Sequence, residues 1–309
     1  MKAFRAATVI GAVLAYALAT LGSWTRINAA GMTCPDWPLC RGAVVPVLQG
    51  AVVLEWLHRA LALVVSLVVI AVIVTGLPLR KRIPGLGPML LALGVAIVVQ
   101  VLLGGVTIFA ANSPPSVTLH WGAAMLLLAT LTSLAVIAFA NADGAAPFGV
   151  RPGTWSLLIA SACAFTAMCA GAYVSSSGAG LACAGFPACG ETFFGQNGAQ
   201  ALQMTHRLLA GGFFLFALVA AATLPPSARR ATLALRLGLG LLTLQIVFGI
   251  LNVLLSLPPL LREAHAANAG ATFLAFIVAT VLASLERSPA RDQASTVSLM
   301  APRTRGKTC

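Results

Sequence analysis

The residues best able to do chemistry in this chain are its four histidines. His58 and His206 begin two similar motifs, HRALA and HRLLA, while His120 and His265 each follow a proline pair. A neutral imidazole binds metals and a charged one donates protons, so paired histidines are typical of metal or proton-transfer sites. The pairing predicts two related sites, each built from two imidazoles.

Four of the seven cysteines form a second repeated pattern, in the segments TCPDWPLC (33–40) and ACAGFPAC (182–189). Each segment has the spacing C-x5-C, with a proline two residues before the second cysteine. Cysteines at this spacing either form a local disulfide or supply part of a metal site. Because zinc usually takes four ligands and each segment offers two, the metal site is the less favoured interpretation.

The composition places these motifs in a membrane protein. Of the 309 residues, 59% are hydrophobic and only 8% are charged, and the mean hydropathy is +0.96. Such values exclude a water-soluble protein that hides its apolar residues in a core. A membrane helix takes roughly 20 apolar residues. We predict an all-α integral membrane protein with eight transmembrane helices, at 6–24, 50–77, 86–109, 117–140, 155–174, 200–223, 232–255 and 264–285.

The basic residues indicate the orientation of these spans. The net charge of +12 does not predict a nucleic-acid partner, because Lys and Arg concentrate in the segments on one side of the membrane. The exceptions on the other side are Arg26, Arg41, Arg59, Arg207 and Arg262. The positive-inside rule places both termini of a multi-pass plasma-membrane protein in the cytoplasm, with the cysteine segments outside. That side is oxidising, so we expect the disulfides Cys34–Cys40 and Cys183–Cys189, whether or not they do more than staple their loops.

The chain is also an internal repeat. Residues 22–40 align without gaps on 171–189, and QVLLGGV (100–106) aligns on QIVFGIL (245–251), as do the flanking proline pairs and histidines. We therefore predict two tandem, pseudo-symmetric four-helix halves. The halves are 1–145 and 146–286, followed by a basic cytoplasmic tail, 287–309, that we expect to be disordered. The first span matches the fifth, which argues against a cleaved signal peptide.

Each predicted half places two histidines near the outer ends of its second and fourth spans. A polar group left unpaired in lipid is costly, so a membrane histidine indicates a functional site unless it only bonds to a neighbouring helix. Two imidazoles facing each other across a four-helix bundle are the arrangement that ligates a haem iron from both faces. Zinc or copper would need further ligands, and only Glu55 and Met204 lie at a suitable depth. The pattern therefore predicts one haem in each half.

Two further positions distinguish the predicted sites. Arg59 and Arg207 directly follow the first histidine of each pair, where each would either bind a haem propionate or extend to the membrane interface. Glu55 lies one helical turn before that histidine in the first half, and Gln203 lies there in the second. A carboxylate in one half alone indicates chemistry beyond holding a haem. Glu55 would act as a general acid or base or relay protons, unless it only bonds to a neighbouring helix or imidazole.

Several specific motifs occur together in this chain: the tandem halves, the C-x5-C loops, LEWLHR, LLGGVTI with a downstream histidine, and THRLLAG. This combination resembles the haem A synthase family of the cytochrome oxidase assembly pathway, over about residues 6–285. Members of that family oxidise the C8 methyl group of haem O to a formyl group by successive hydroxylations, which gives haem A for terminal oxidases. The resemblance implies an oxidoreductase of this kind.

The resemblance also implies a role for each predicted site residue. His206 and His265 would bind the iron of a haem b cofactor that passes electrons. His58 and His120 would be the ligands of the substrate haem O, held near Glu55 as the catalytic residue. The first half would thus be the substrate site and the second half the cofactor site.

The cysteines and partners follow from the same resemblance. The Cys34–Cys40 pair would take part in function, whereas the Cys183–Cys189 pair would be structural. Haem O and membrane lipid are the implied small-molecule partners, and haem O synthase, cytochrome oxidase assembly factors and a second copy of the chain are the protein partners we expect. The electron donor stays open between a quinol and a small redox protein.

Two other functions would use the same four histidines. A dihaem membrane cytochrome that only transfers electrons would give Glu55 no chemical role, and a haem carrier or assembly protein would bind haem without turnover. A transporter is less favoured, because no span shows the paired breaks of a substrate site. The difference between Glu55 and Gln203 favours the enzyme.

Overall fold

The computed structural model describes residues 1–140, 154–190 and 192–285. Within these ranges the chain is helical, with isolated bridges but no strand. The long helices are α1 (Lys2–Ile27), α2 (Val52–Gly76), α3 (Leu86–Phe109), α4 (Pro114–Ala140), α5 (Thr154–Ser176), α6 (Gly198–Thr223), α7 (Arg229–Leu254) and α8 (Pro259–Leu285). The predicted boundary between 145 and 146 and the tail 287–309 lie outside the described residues.

All eight helices are long and apolar enough to cross a membrane, which confirms the predicted multi-pass membrane protein. Several helices extend beyond the predicted spans: α4 begins at Pro114 rather than at 117, and α8 begins at Pro259 rather than at 264. Proline is favoured in the first turn of a helix, because the N–H that it lacks would have no helical partner there. Hydropathy marks the part of a helix that lies in lipid, whereas backbone hydrogen bonds continue through its polar ends.

Each set of four consecutive helices packs as a bundle. Helix α1 packs on α2 and α4, and α3 packs on the same two helices. In the second bundle, α5 and α7 pack on α6 and α8 in the same way. The bundles contact each other where α4 meets α5 and α8, and where α1 meets α8. Corresponding helices of the repeat therefore occupy equivalent positions.

The central helices are α4 and α8. In their most apolar stretches, 50% and 56% of the residues are buried, against 17% in α3 and α7. Glycines allow close approach between neighbouring helices. A Cβ added at Gly76 would lie 2.9 Å from side-chain atoms of Phe4 and Leu90, and one at Gly238 would lie 2.9 Å from Phe276. Lipid offers helices no hydrophobic drive to associate, so van der Waals contact at small residues stabilises the packing.

Both cysteine segments lie at one end of the molecule, which we call the loop end. At this end, Nη2 of Arg26 at the close of α1 donates to Oγ of Ser175 near the close of α5, at 2.6 Å. Nδ2 of Asn112, between α3 and α4, donates to the carbonyl of Gly31 before the first cysteine, at 2.9 Å. The loop end therefore gathers the starts of α2, α4, α6 and α8, where all four histidines occur.

Candidate functional site

The histidines of each half lie together at the loop end. His58 in α2 and His120 in α4 are close enough to interact electrostatically, and so are His206 in α6 and His265 in α8. Each pair comes from two helices of one bundle. The structure thus brings together the residues that the repeat had paired.

The imidazoles on α2 and α6 pack against glycines of the preceding helices. A Cβ added at Gly22 would lie 2.8 Å from Cε1 of His58, and one at Gly171 would lie 2.8 Å from Cε1 of His206. Real Cβ atoms essentially never approach another heavy atom so closely. Any larger residue at these positions would displace the imidazole.

The imidazoles on α4 and α8 have the same arrangement. A Cβ added at Gly104 would lie 3.3 Å from Cε1 of His120, and one at Gly249 would lie 3.2 Å from Cε1 of His265. Glycine at each of these positions leaves room for the imidazole to pack on the neighbouring helix. Two imidazoles fixed in this way in each half are the donor set that a haem iron takes within a four-helix bundle.

The first-half imidazoles also carry unsatisfied polar atoms. Nδ1 of His58 and Nδ1 of His120 are buried, and neither has a partner with good hydrogen-bond geometry among the described residues, although the backbone of Leu18 approaches His58 and that of Gln100 approaches His120. A buried polar atom without a partner destabilises a protein unless a bound group or ordered water satisfies it. This observation is consistent with a site that takes a ligand.

The Glu55 carboxylate is buried, with 3% of the residue exposed, and both of its oxygens are paired. Oε1 forms an ion pair with Nη2 of Arg59 at 2.6 Å. Oε2 accepts hydrogen bonds from Oγ1 of Thr33 at 2.9 Å and from the backbone N–H of Cys34 at 2.8 Å. Glu55 therefore joins the start of α2 to the first cysteine loop.

Arg59 adds further bonds to the same loop. Its Nη1 donates to the carbonyls of Asp36, at 2.6 Å, and Leu39, while Nη2 donates to the carbonyl of Cys34 at 2.8 Å. The sequence had suggested a propionate contact or extension to the interface. Donation to loop carbonyls was missed, because no motif indicates which backbone atoms a guanidinium will reach.

The second half repeats this geometry without the carboxylate. Oε1 of Gln203 accepts from the N–H of Cys183 at 2.6 Å, and its Nε2 donates to the carbonyl of Gly180 at 2.8 Å. Arg207 donates from Nη1 to the carbonyl of Pro187 at 3.1 Å and from Nη2 to that of Cys183 at 3.2 Å. An uncharged amide thus performs the loop contact that Glu55 makes in the first half.

Both cysteine loops are closed by disulfides, Cys34–Cys40 and Cys183–Cys189. The first loop has an additional anchor, because Asp36 accepts from the backbone N–H groups of Arg41 at 2.5 Å and Gly42 at 2.8 Å. The hydrogen bond from the N–H of Gly42 contributes most to lowering the pKa of the Asp36 carboxyl below its usual value. The first loop therefore carries a negative charge fixed by its own backbone.

An aromatic residue of the first loop also packs onto the bundle. The ring of Trp37 lies against Gly105 of α3, where an added Cβ would be 3.2 Å from the ring. The equivalent residue of the second loop, Phe186, is 50% exposed and lies near the Arg207 guanidinium, 5.7 Å from its carbon. The first loop is consequently packed more closely over its bundle than the second.

Comparisons with known proteins agree with this arrangement. The chain is similar to proteins named heme A synthase, among them those of Alkalihalophilus pseudofirmus (28% identical, 71% of this chain and 74% of the relative) and Symbiobacterium thermophilum (28%, 67% and 71%). A third relative of the same name, from Halalkalibacterium halodurans, is 29% identical over 72% of this chain and 74% of its own. The family model described as cytochrome oxidase assembly protein matches residues 5–277. The match spans most of the chain, which therefore belongs to the cytochrome oxidase assembly protein family.

Proposed function

We propose that this protein is a haem A synthase, an oxidoreductase that converts the C8 methyl group of haem O to the formyl group of haem A. Membership of the family and the relatives that bear this name support the proposal. The observation that carries it is an asymmetry: two equivalent imidazole pairs occur, and a buried carboxylate adjoins only one of them. Simple haem binding in both halves would not require that carboxylate.

The first half is the proposed substrate site. His58 and His120 would hold haem O, and Glu55 would exchange protons as the methyl group is hydroxylated. Oε2 of Glu55 is bonded to the loop at Thr33 and Cys34, so a small movement of the first loop would free this oxygen. The position of the loop would thereby control when the carboxylate can act as an acid or base.

The second half is the proposed cofactor site. His206 and His265 would hold a haem b, which when bound would supply electron transfer to the substrate site. Gln203 keeps the loop in place here without adding a titratable group beside the haem. Such a site suits a group that stays bound and changes only its oxidation state.

We propose that Arg59 and Arg207 contact haem propionates through the guanidinium N–H groups that are not bonded to the cysteine loops. The terminal nitrogens of Arg59 bond to Glu55 and to loop carbonyls, so its Nε is the nitrogen available to a propionate. Among the described residues, Arg207 makes one hydrogen bond from Nη2, and it has no carboxylate at the Gln203 position. We expect Arg207 to be the stronger propionate contact of the two.

The proposed orientation has both termini in the cytoplasm and the loop end outside. Basic residues concentrate away from the loop end, as in Lys81, Arg82 and Arg229, which supports this orientation through the positive-inside rule. Both disulfides would then lie on the oxidising side.

The deciding experiment is chromatography of haems extracted from a host that supplies haem O and makes no haem A, with and without this protein. Haem A, accompanied by the hydroxymethyl intermediate, is expected only when the protein is present. If haem b co-purifies with the folded protein while haem O stays unchanged and electrons are supplied, the protein is an electron-transfer cytochrome or a haem carrier instead.

A further inference from the structure

A cavity of about 510 Å³ lies at the end of the molecule opposite the loop end. Its wall contains two arginines, Arg5 of α1 and Arg230 of α7. The rest of the wall is apolar and includes Val136 and Phe139 of α4 and Leu282 of α8. We call this cavity the arginine groove. It lies between the two halves, because α1 and α4 belong to the first half and α7 and α8 to the second, and the proposed haem sites use none of these residues.

The arginine groove extends from the membrane boundary toward the hydrocarbon. Arg5 and Arg230 lie at the starts of α1 and α7, where these helices meet the membrane surface. Helix α4 ends at Ala140, so Val136 lies about 6 Å deeper, at a rise of about 1.5 Å per residue. The groove therefore combines two positive charges at the level of lipid headgroups with an apolar wall at the level of acyl chains.

The Arg5 side chain is fixed against the wall of the groove. Its Nε donates to the carbonyl of Ala138 at 3.0 Å, and its guanidinium carbon lies 5.3 Å from the centroid of the Phe139 ring. An arginine that only extended into water would make neither contact. Both terminal nitrogens of Arg5 have no hydrogen-bond partner among the described residues, so they are available to an anion in the groove.

The two helix starts beside the groove are positively charged. Neither α1 nor α7 has an acidic residue in its first turn. The start of a helix carries a partial positive charge from its backbone dipoles, and basic side chains add to that charge instead of compensating it. A bound anion would relieve this repulsion. Phosphate is the favoured anion, because a guanidinium presents parallel N–H groups to two of its oxygens.

The repeat does not reproduce this pair of arginines. The alignment of the two halves places Thr154 at the position of Arg5 and Gly85 at the position of Arg230. A bundle of this kind therefore forms without arginine at either position. This difference favours a role in binding a ligand over a role in packing the helices.

From these observations we propose that the arginine groove binds one anionic phospholipid, with its phosphate between Arg5 and Arg230 and its acyl chains along α4 and α8. Basic pockets between membrane helices on the cytoplasmic side bind anionic lipid headgroups. The proposed orientation places the groove in the cytoplasmic leaflet, where such lipids are available. Because the wall comes from both halves, the lipid would bridge them at this end. The proposal does not depend on the assignment of either haem.

The test is native mass spectrometry of the full-length, haem-loaded protein in detergent, titrated with phosphatidylglycerol or with phosphatidylcholine. One phosphatidylglycerol is expected to bind more tightly than any phosphatidylcholine. The double variant Arg5→Gln/Arg230→Gln should bind it about tenfold or more weakly, because each basic residue near an anionic headgroup contributes on the order of fivefold. The control Arg80→Gln/Arg82→Gln removes the same charge from the same end without touching the groove, so it should bind as the unmodified protein does.

Two further measurements distinguish the sources of binding. Val136→Trp keeps both arginines but fills the apolar part of the groove, so it should also weaken phosphatidylglycerol binding, whereas inorganic phosphate should not displace the lipid. Equal losses in the two arginine double variants would show a general attraction to the basic surface and overturn the proposal. Displacement by inorganic phosphate, or unchanged binding in Val136→Trp, would overturn the lipid as the occupant. If the double variant does not fold, Arg230→Gln alone, at an exposed position, should weaken binding severalfold, and unchanged binding would refute the site.

Discussion

The two halves hold their cysteine loops with the same geometry and different charge. In the first half, Glu55 and Arg59 form a buried ion pair that bonds to the loop backbone. In the second, Gln203 makes the equivalent backbone contact, and Arg207 binds its loop with no carboxylate at the Gln203 position. Because an amide holds the second loop in the same way, the backbone contact alone does not require the negative charge of Glu55.

We propose that this difference marks the half that performs chemistry. Burying a carboxylate carries a desolvation penalty of several kcal/mol, which can exceed the attraction of its ion pair. A neutral glutamine avoids that penalty and fits the same position. In the proposed function, the carboxylate serves a reaction that needs proton exchange, while the neutral site holds a haem that only transfers electrons. The following predictions test this comparison, beginning with the largest expected effect.

Removing one histidine ligand from each site in turn should distinguish the two haem sites. His206→Ala is expected to abolish stable haem b binding, because one imidazole of a two-ligand site is lost. The measurement is haem content of the purified protein by pyridine haemochrome spectra. His58→Ala is the matched variant and should lose haem O while it keeps haem b. Full retention of haem b in His206→Ala would contradict the cofactor assignment.

Exchanging the side-chain types at Glu55 and Gln203 should distinguish a catalytic role of the carboxylate from its role in holding the loop. Glu55→Gln retains an acceptor for the Cys34 N–H but loses the carboxylate, so both haems should bind while haem A formation falls by at least about 100-fold. The readout is chromatography of extracted haems together with haem content. Gln203→Glu is the control and should leave product formation largely intact. Unchanged haem A in Glu55→Gln would remove the assignment of Glu55.

Replacing the glycine beside a histidine with alanine should weaken haem binding in that half only. Gly171→Ala places a Cβ 2.8 Å from the His206 ring, so the imidazole must shift, at a cost of about 1–3 kcal/mol. Weaker haem b binding and an altered absorption spectrum are expected, whereas Gly22→Ala should affect only the substrate haem. Gly211→Ala on the same helix as His206 is the control, since an added Cβ there meets nothing within 4 Å.

The smallest expected effect is a pH dependence confined to the first loop. The backbone N–H of Gly42 keeps the pKa of Asp36 below its usual value of 3.8, so the bound form is the carboxylate. Its stabilisation is complete above pH 3.8 and is lost as the pH falls through the lowered pKa. The protection of the Gly42 amide against hydrogen exchange, measured relative to its intrinsic rate at each pH, should fall on acidification, and Asp36→Asn should abolish this change. The second loop has Gly185 at the position equivalent to Asp36, and an equal loss of protection in that loop would refute the explanation.

Much of this protein is determined by its sequence alone. Long apolar runs predicted all eight membrane helices, because a helix in lipid must satisfy its own backbone and needs a fixed length of apolar residues. The repeat paired the histidines and identified Glu55 and Gln203 as equivalent positions. These features can be read from the sequence because they depend only on residue spacing within one helix or on the match between the two copies of the repeat.

Contacts between helices were decided only by the tertiary structure. The sequence places Asn268 and Ala123 at equivalent positions, yet it does not show that Asn268 bonds to Gln245 while the side-chain oxygen of Gln100 has no partner in the described part of the chain. Likewise, the run of residues after His58 does not reveal that Arg59 donates to loop carbonyls. Such bonds depend on how far each helix is rotated and how closely its glycines let the next helix approach, and these quantities are set by the packing of the whole bundle.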